Sequence, residues 1–138
     1  MDSSGYSGTP LFKKLGLKET YKCLLFNPLP EYSKWIESLD LSLDVHHEFE
    51  PGSYDFIHGF CSYYKDLDQL IKIYKAHLKM DGMMWVSWPK GTSKIQSELN
   101  RDKIREFVLV HGLVDVKVAS INSDWSGLKF VYRLKDRK

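Results

Sequence analysis

With 138 residues, the chain has the length of one ordinary domain, enough to bury about two thirds of its unfolded surface. It is 43% hydrophobic and 28% charged, a globular composition that excludes wholesale disorder. A formal charge of +2 is too small to point to nucleic acid. No apolar run approaches the roughly 18–20 residues of a membrane span, and MDSSGYSGTP lacks the apolar core of a signal peptide. Cys23 and Cys61 both fall in predicted strands, where free thiols are usually buried, so a reduced, cytoplasmic protein is expected.

Thr9 to Gly16 carries the punctuation of a short helix: a capping threonine, Pro10 at the first turn and a glycine stop. Tyr21 to Phe26 (YKCLLF) is a near-continuous apolar run, as in a strand buried on both faces of a parallel sheet. Pro30 opens a helix whose apolar face is Tyr32, Trp35, Ile36 and Leu39. Leu43 to His46 is a short, half-polar strand suited to a sheet edge. Tyr54 to Phe60 (YDFIHGF) is the next strand.

Asp66 and Gln69 have capping-box spacing, and Leu67, Leu70, Ile71, Tyr74 and Leu78 make one helical stripe that Asp81-Gly82 ends. Met83 to Trp88 reads as a buried strand. Ser97 or Asn100 caps a last helix bearing Ile104, Phe107, Val108 and His111, with Gly112 as its stop. Val114 to Ile121 and Leu128 to Leu134 then form a hairpin around the polar loop 122–127. No repeat, linker or low-complexity tract divides the chain. One α/β domain over residues 1–138 is predicted, with 1–8 as a flexible lead-in.

The segment YDFIHGF, a helix, then LKMDGMMWVSWPK resembles the back half of a class I methyltransferase core, and a parallel sheet closed by an antiparallel hairpin strand is that family's ending. The resemblance implies a three-layer Rossmann-like fold with a reduced, methyltransferase-type sheet of about six strands. Its implied order is 2-1-3-4-6-5, with the last strand antiparallel. One joint is tight: roughly His47 to Ser53 must return the chain from strand 2 to strand 3, which suffices only for a short strand 2. Antiparallel pairing of residues 43–49 is the alternative. Nearly the whole chain also resembles an uncharacterised bacterial domain family, through SGYSGTPLFKKLGL, YDFIHGF, MMWVSWPK and GLVDVKVASINSDWSGLKFVYRLKDR. That resemblance implies no activity.

Open α/β sheets bind ligands outside the carboxyl ends of their strands, where strand order reverses. Here that rim would carry Asn27 and Pro28, Phe60 and Cys61, Ser87 to Lys90, and the hairpin loop, with Ser4 to Thr9 arriving beside it. The candidate ligand contacts are Asn27, Cys61, Ser87, Trp88, Lys90, Asp124 and Trp125. Methyltransferases use a glycine-rich turn after strand 1 to admit S-adenosylmethionine. Phe26-Asn27-Pro28-Leu29-Pro30 stands in that place, and its prolines obstruct close backbone approach. An acidic residue at the end of strand 2, Glu48 or Glu50, would hold the ribose hydroxyls in such a site.

The other chemistries are weaker in sequence. His46, His47, His58 and Cys61 cluster, but adjacent or three-apart strand positions face opposite sides, which does not converge on a metal. Ser87 has no nucleophile elbow around it, and His58 reads as a buried strand histidine with a hydrogen-bond partner. SGYSGTP with Lys13 and Lys14, and KGTSK at 90–94, hint at a small anionic ligand without P-loop spacing. No catalytic residue, metal or cofactor is assigned.

A non-catalytic binding or interaction protein on a degenerate methyltransferase-like fold is therefore the leading reading. The alternative is a small-ligand-binding protein or enzyme, including an atypical adenosylmethionine-dependent methyltransferase, using the carboxyl-end cleft. The weak second strand leaves an edge that charged residues or a partner must cover, so a homodimer or protein partner is expected at residues 41–50.

Overall fold

A computed structural model describes residues 8–48 and 53–137. Helix α1 (Gly8–Leu15) ends at Gly16, whose φ of +86° is the left-handed stop its sequence predicts. Strand β1 (Lys22–Phe26) buries four residues in succession, as a strand covered on both faces must. Then come α2 (Tyr32–Glu37), β2 (Asp44–His46), β3 (Tyr54–Phe60) and α3 (Tyr64–Gln69). A π-helical turn (Leu70–Tyr74) and a 3-10 turn (Lys75–His77) lead from α3 into β4 (Leu78–Pro89). Helix α4 (Arg101–Val110), β5 (Leu113–Ser120) and β6 (Trp125–Tyr132) complete the domain.

The six strands form one sheet in the order β2-β1-β3-β4-β6-β5. All pairings are parallel except those of β6, which runs antiparallel to both neighbours. This is the α/β architecture the sequence implies. Strand β2 pairs parallel with β1 over only three residues, and this shortness makes the return to β3 feasible.

Helices α1 and α2 cover one face, packing Leu15 and Tyr32 onto Cys23, Leu25, Phe56, Phe60 and Trp85. The other face is covered by α3 and α4, through Leu67, Leu70, Ile104 and Val108 on Leu24, Ile57, Met84 and Val86. Burying such side chains contributes about 1.5–3 kcal/mol apiece, and that drives the layering.

Three local readings need correction. The helical stripe does not continue to Leu78: α-helical geometry stops at Gln69, and Leu78 begins β4, opposite Tyr54. Asp81-Gly82 is therefore no helix stop. It lies in an irregularity between the Tyr54–Leu78 and Phe56–Met83 pairs, where a Cβ on Gly82 would sit 3.0 Å from the carbonyl oxygens of Tyr54 and Asp55. Asp66 is not the N-cap of α3 but its third residue, its carboxylate accepting from the amides of Ser62 and Tyr63 at 3.1 Å each. The hairpin is tighter than predicted, with β6 starting at Trp125, because Asn122 Oδ1 accepts from the amides of Asp124 and Trp125. Of the two proposed caps on the last helix, Asn100 is the one, accepting from Lys103 N at 2.9 Å.

Candidate functional site

Strand order reverses between β1 and β3, and open α/β sheets carry their ligand crevice at the carboxyl ends of such strands. Asn27 follows β1 directly and holds φ at +51°, the left-handed region that asparagine tolerates better than most residues. Its side-chain amide donates to Phe60 O at a long 3.4 Å, joining the two strand ends that border the crevice. Asn27 is exposed, Pro28 half-buried and Pro30 exposed.

The β4–α4 connection is bonded to the chain between β3 and α3. Ser62 O accepts from Ser97 Oγ at 2.7 Å and from Glu98 N at 3.1 Å. The Glu98 carboxylate accepts from Tyr64 N, the first amide of α3, at 2.7 Å. With Asp66 on the two preceding amides, the start of α3 is occupied by two of the chain's own carboxylates. Nothing in the local sequence reveals the role of Glu98, which acts 34 residues from Tyr64.

Behind the crevice lies a buried polar chain. His58 Nδ1 is 2.8 Å from Tyr32 Oη, and His58 Nε2 is 2.8 Å from Ser87 Oγ. All three residues are at most 1% exposed. The imidazole stacks on Phe60 at 4.4 Å between centroids, with the rings of Phe56 and Trp85 also around it. Neutral imidazole donates through one nitrogen and accepts through the other, so two proton arrangements satisfy it. In one, Tyr32 donates to Nδ1 and Nε2–H donates to Ser87; in the other both bonds reverse. Burial lowers the His58 pKa from 6.5 to about 3 and raises that of Tyr32 well above its usual range. A serine beside a histidine suggests a nucleophile and its base, but neither reaches solvent. The trio joins α2 to β3 and β4.

Six of the seven predicted contact residues divide into two groups, and Trp88 stands apart from both. Asn27, Cys61 and Ser87 lie at the carboxyl ends of β1, β3 and β4, Asn27 joined to Phe60 O through its side-chain amide and Cys61 N donating to Ser87 O at 2.8 Å. The Cys61 side chain is buried among the α3 and α4 residues, and burial, then Asp66, pushes its thiol pKa up. Lys90, Asp124 and Trp125 form the second group, at the hairpin. Lys90 N donates to Asp124 O and its Nζ to Ser120 Oγ, each at 2.7 Å. Trp125 is buried edge-on to Phe60, 5.3 Å between centroids. Trp88 is buried on the opposite face, so the two indoles do not converge. Ser4 to Ser7 and Glu50 lie outside the described residues, and Glu48 is exposed.

Among the described residues no group of three His, Cys, Asp or Glu side chains is placed to hold a metal. Nor is any helix there long and apolar enough to cross a membrane.

No family model and no curated protein matches the sequence. The resemblance to the uncharacterised bacterial family thus rests on the quoted residues alone. Solved structures do match. A SAM-dependent methyltransferase from Aquifex aeolicus aligns with a TM-score of 0.64 at 12% identity, over 89% of this chain and 88% of that one. A TehB-like SAM-dependent methyltransferase from Corynebacterium glutamicum aligns at 0.57 and 10% identity, over 95% and 90%. Phosphoethanolamine N-methyltransferase 2 of Haemonchus contortus, in complex with S-adenosyl-L-methionine, aligns at 0.67 and 14% identity, over 94% of this chain and 54% of that one. At these identities the likeness is one of fold: the sheet and its helices have the class I methyltransferase-like arrangement.

Proposed function

We propose that the chain is a small-ligand-binding protein of methyltransferase fold that uses the crevice at the carboxyl ends of β1 and β3, with S-adenosyl-L-methionine as the ligand of first choice. The left-handed backbone at Asn27 carries this reading. A cofactor-binding turn at a switch point needs a particular backbone shape more than it needs glycine, and Asn27 supplies a positive φ directly after β1. The fold it shares with proteins described as SAM-dependent methyltransferases supports the choice of ligand.

His58 and Cys61 are fully buried, which leaves Asp124 as the exposed carboxylate among the described candidate contacts. Any methyl transfer here would rest on positioning an acceptor that is already nucleophilic. A second reading, a non-catalytic interaction protein, is favoured by the bonds that tie Ser97 and Glu98 to the chain after β3.

Calorimetric titration with S-adenosyl-L-methionine and S-adenosyl-L-homocysteine separates the two. Micromolar binding that weakens in Asn27→Val, whose β-branched side chain disfavours positive φ, supports the ligand-binding reading. No heat up to about 1 mM, the range of negligible affinity, leaves the interaction protein.

A further inference from the structure

Among the described residues the sheet ends on two strands with no neighbour on their outer side, β2 and β5. The β2 edge, where the sequence places a partner, pairs over three residues only. Strand β5 is eight residues long and leaves Val116 and Val118 exposed by 54% and 53%. A long edge strand with apolar side chains in solvent is a template for a further strand. The open side of β5 also has a defined hydrogen-bond pattern. Ile121 N donates to Trp125 O at 2.8 Å, just beyond the ladder that pairs Ser120 with Ser126. Antiparallel pairs alternate between hydrogen-bonded and non-hydrogen-bonded, so Ala119 and Lys117 direct their backbone groups to β6. Val118 and Ser120 turn theirs outward. A register irregularity between Asp115 and Lys117 takes the first half of the strand out of line, which limits where an added strand can pair. From Lys117 to Ser120 the ladder is regular.

Beside that stretch, between β5 and α4, runs a groove of about 450 Å³. Val116, Val118 and Leu128 supply its apolar lining, and Arg101, Asp102, Arg105 and Asp115 line it with charge of both signs. Asp115 holds Arg105 at 3.0 Å, whereas Arg101 meets its neighbour Asp102 at a loose 3.8 Å, and both of those side chains are mostly exposed. A lining of mixed sign selects neither a simple anion nor a simple cation. It suits a surface that meets its own image, because across a two-fold axis each arginine can face the other copy's aspartate.

We infer that the β5 edge is an interface for a second copy of this chain, the two strands pairing antiparallel about a two-fold axis at Val118 and joining two sheets into one. In that register Val118 faces its own image, and the amide and carbonyl that each turns outward meet those of the other. Lys117, its ammonium already donating to Lys14 O at 3.0 Å, faces the partner's Ala119. An axis at Lys117 would instead set two ammoniums opposite each other, which is destabilising. An axis at Ala119 would shorten the overlap from residues 116–120 to residues 118–120 of β5. Two short strand edges and a shared groove make a small interface, so a dissociation constant of about 10–100 µM is expected. The interface lies three strands from β3 and is independent of what the crevice binds.

Sedimentation velocity of the full chain from about 2 µM to about 500 µM brackets that constant. The native protein should pass from monomer to dimer across the range. Val118→Lys, which sets two ammoniums face to face at a half-exposed site, should stay monomeric throughout. Asp44→Lys, on the exposed β2 edge, should dimerise as the native protein does. Val118→Cys treated with oxidised glutathione should cross-link to a covalent dimer, because the Cα atoms of a hydrogen-bonded antiparallel pair lie about 5.5 Å apart, within disulfide reach. Val114→Cys, beyond the irregularity and far from its own image, should not. The cross-link decides the matter even where Val118→Lys lowers the unfolding midpoint. A native protein that is monomeric at every concentration overturns the interface, and so does a dimer that survives Val118→Lys or is lost in Asp44→Lys. Equal cross-linking of Val118→Cys and Val114→Cys overturns the register.

Discussion

His58 makes the stability of this fold depend on pH in a defined direction. In the unfolded chain the imidazole titrates near 6.5, and in the folded protein near 3. Between those values the unfolded state binds a proton that the folded state refuses, so stability falls as pH drops through 6.5 and levels off below about 3. From pH 8 to pH 5 this one group should cost about 2 kcal/mol, and its full range cannot exceed about 5 kcal/mol. The burial behind it is geometric: among the described residues the imidazole has Tyr32 and Ser87 as hydrogen-bond partners and aromatic rings around it. The comparison protein should lack the whole polar chain, because His58→Leu alone would strand two buried hydroxyls at about 1–3 kcal/mol each. Tyr32→Phe, His58→Leu and Ser87→Ala combined remove the donors and acceptors together. Urea unfolding followed by circular dichroism at pH 8, 6.5, 5.5 and 5 gives stability against pH for both proteins. His46, His47, His77 and His111 are common to both and cancel in the difference. The triple variant should lose about 2 kcal/mol less than the native protein between pH 8 and pH 5. Parallel curves would show that His58 is protonated as readily in the fold as outside it, and the burial argument would be refuted.

Gly82→Ala should destabilise by about 2–3 kcal/mol in urea titrations, because the added methyl meets two β3 carbonyl oxygens that cannot retreat without breaking the ladder. Gly91→Ala, with nothing within 4 Å of the new methyl, should stay within about 0.5 kcal/mol and serves as the control. Asn100→Ala should cost about 1 kcal/mol through the lost cap of α4, and Asn100→Asp should restore most of it in the same assay.

Much of the architecture was legible because the strands carry their own signal. YDFIHGF marks β3 with its observed bounds, and the apolar run of β1 announces a strand covered on both sides. The failures lie where one pattern fits two structures. Leu67, Leu70, Ile71 and Tyr74 are buried as a helical stripe should be, yet Leu78 continues that spacing from inside β4. Asp-Gly is a common helix terminator, and only the nearness of Tyr54 and Asp55 carbonyls shows that this glycine serves strand pairing instead. The Tyr32–His58–Ser87 chain was half legible. A strand histidine with a partner is a fair expectation, but the partners lie 26 and 29 residues away and depend on how β3 and β4 align.

The crevice shows why residue type and backbone shape must be weighed separately. Reading Phe26-Asn27-Pro28-Leu29-Pro30 as a blocked cofactor turn takes the absence of glycine as the absence of what glycine does. Glycine supplies a positive φ at little steric cost, and Asn27 holds φ at +51° in the first position after β1. Pro28 removes one amide and Pro30 another, so a ligand here would find fewer backbone donors than a glycine-rich loop provides. The exposed side chain of Asn27 keeps donor capacity beyond its long bond to Phe60 O. What distinguishes this crevice is thus its supply of hydrogen-bond donors rather than its turn geometry. On the proposed ligand-binding reading, a ligand gripped by successive amides would find fewer donors there than it requires, unlike one recognised through hydroxyls and an uncharged base.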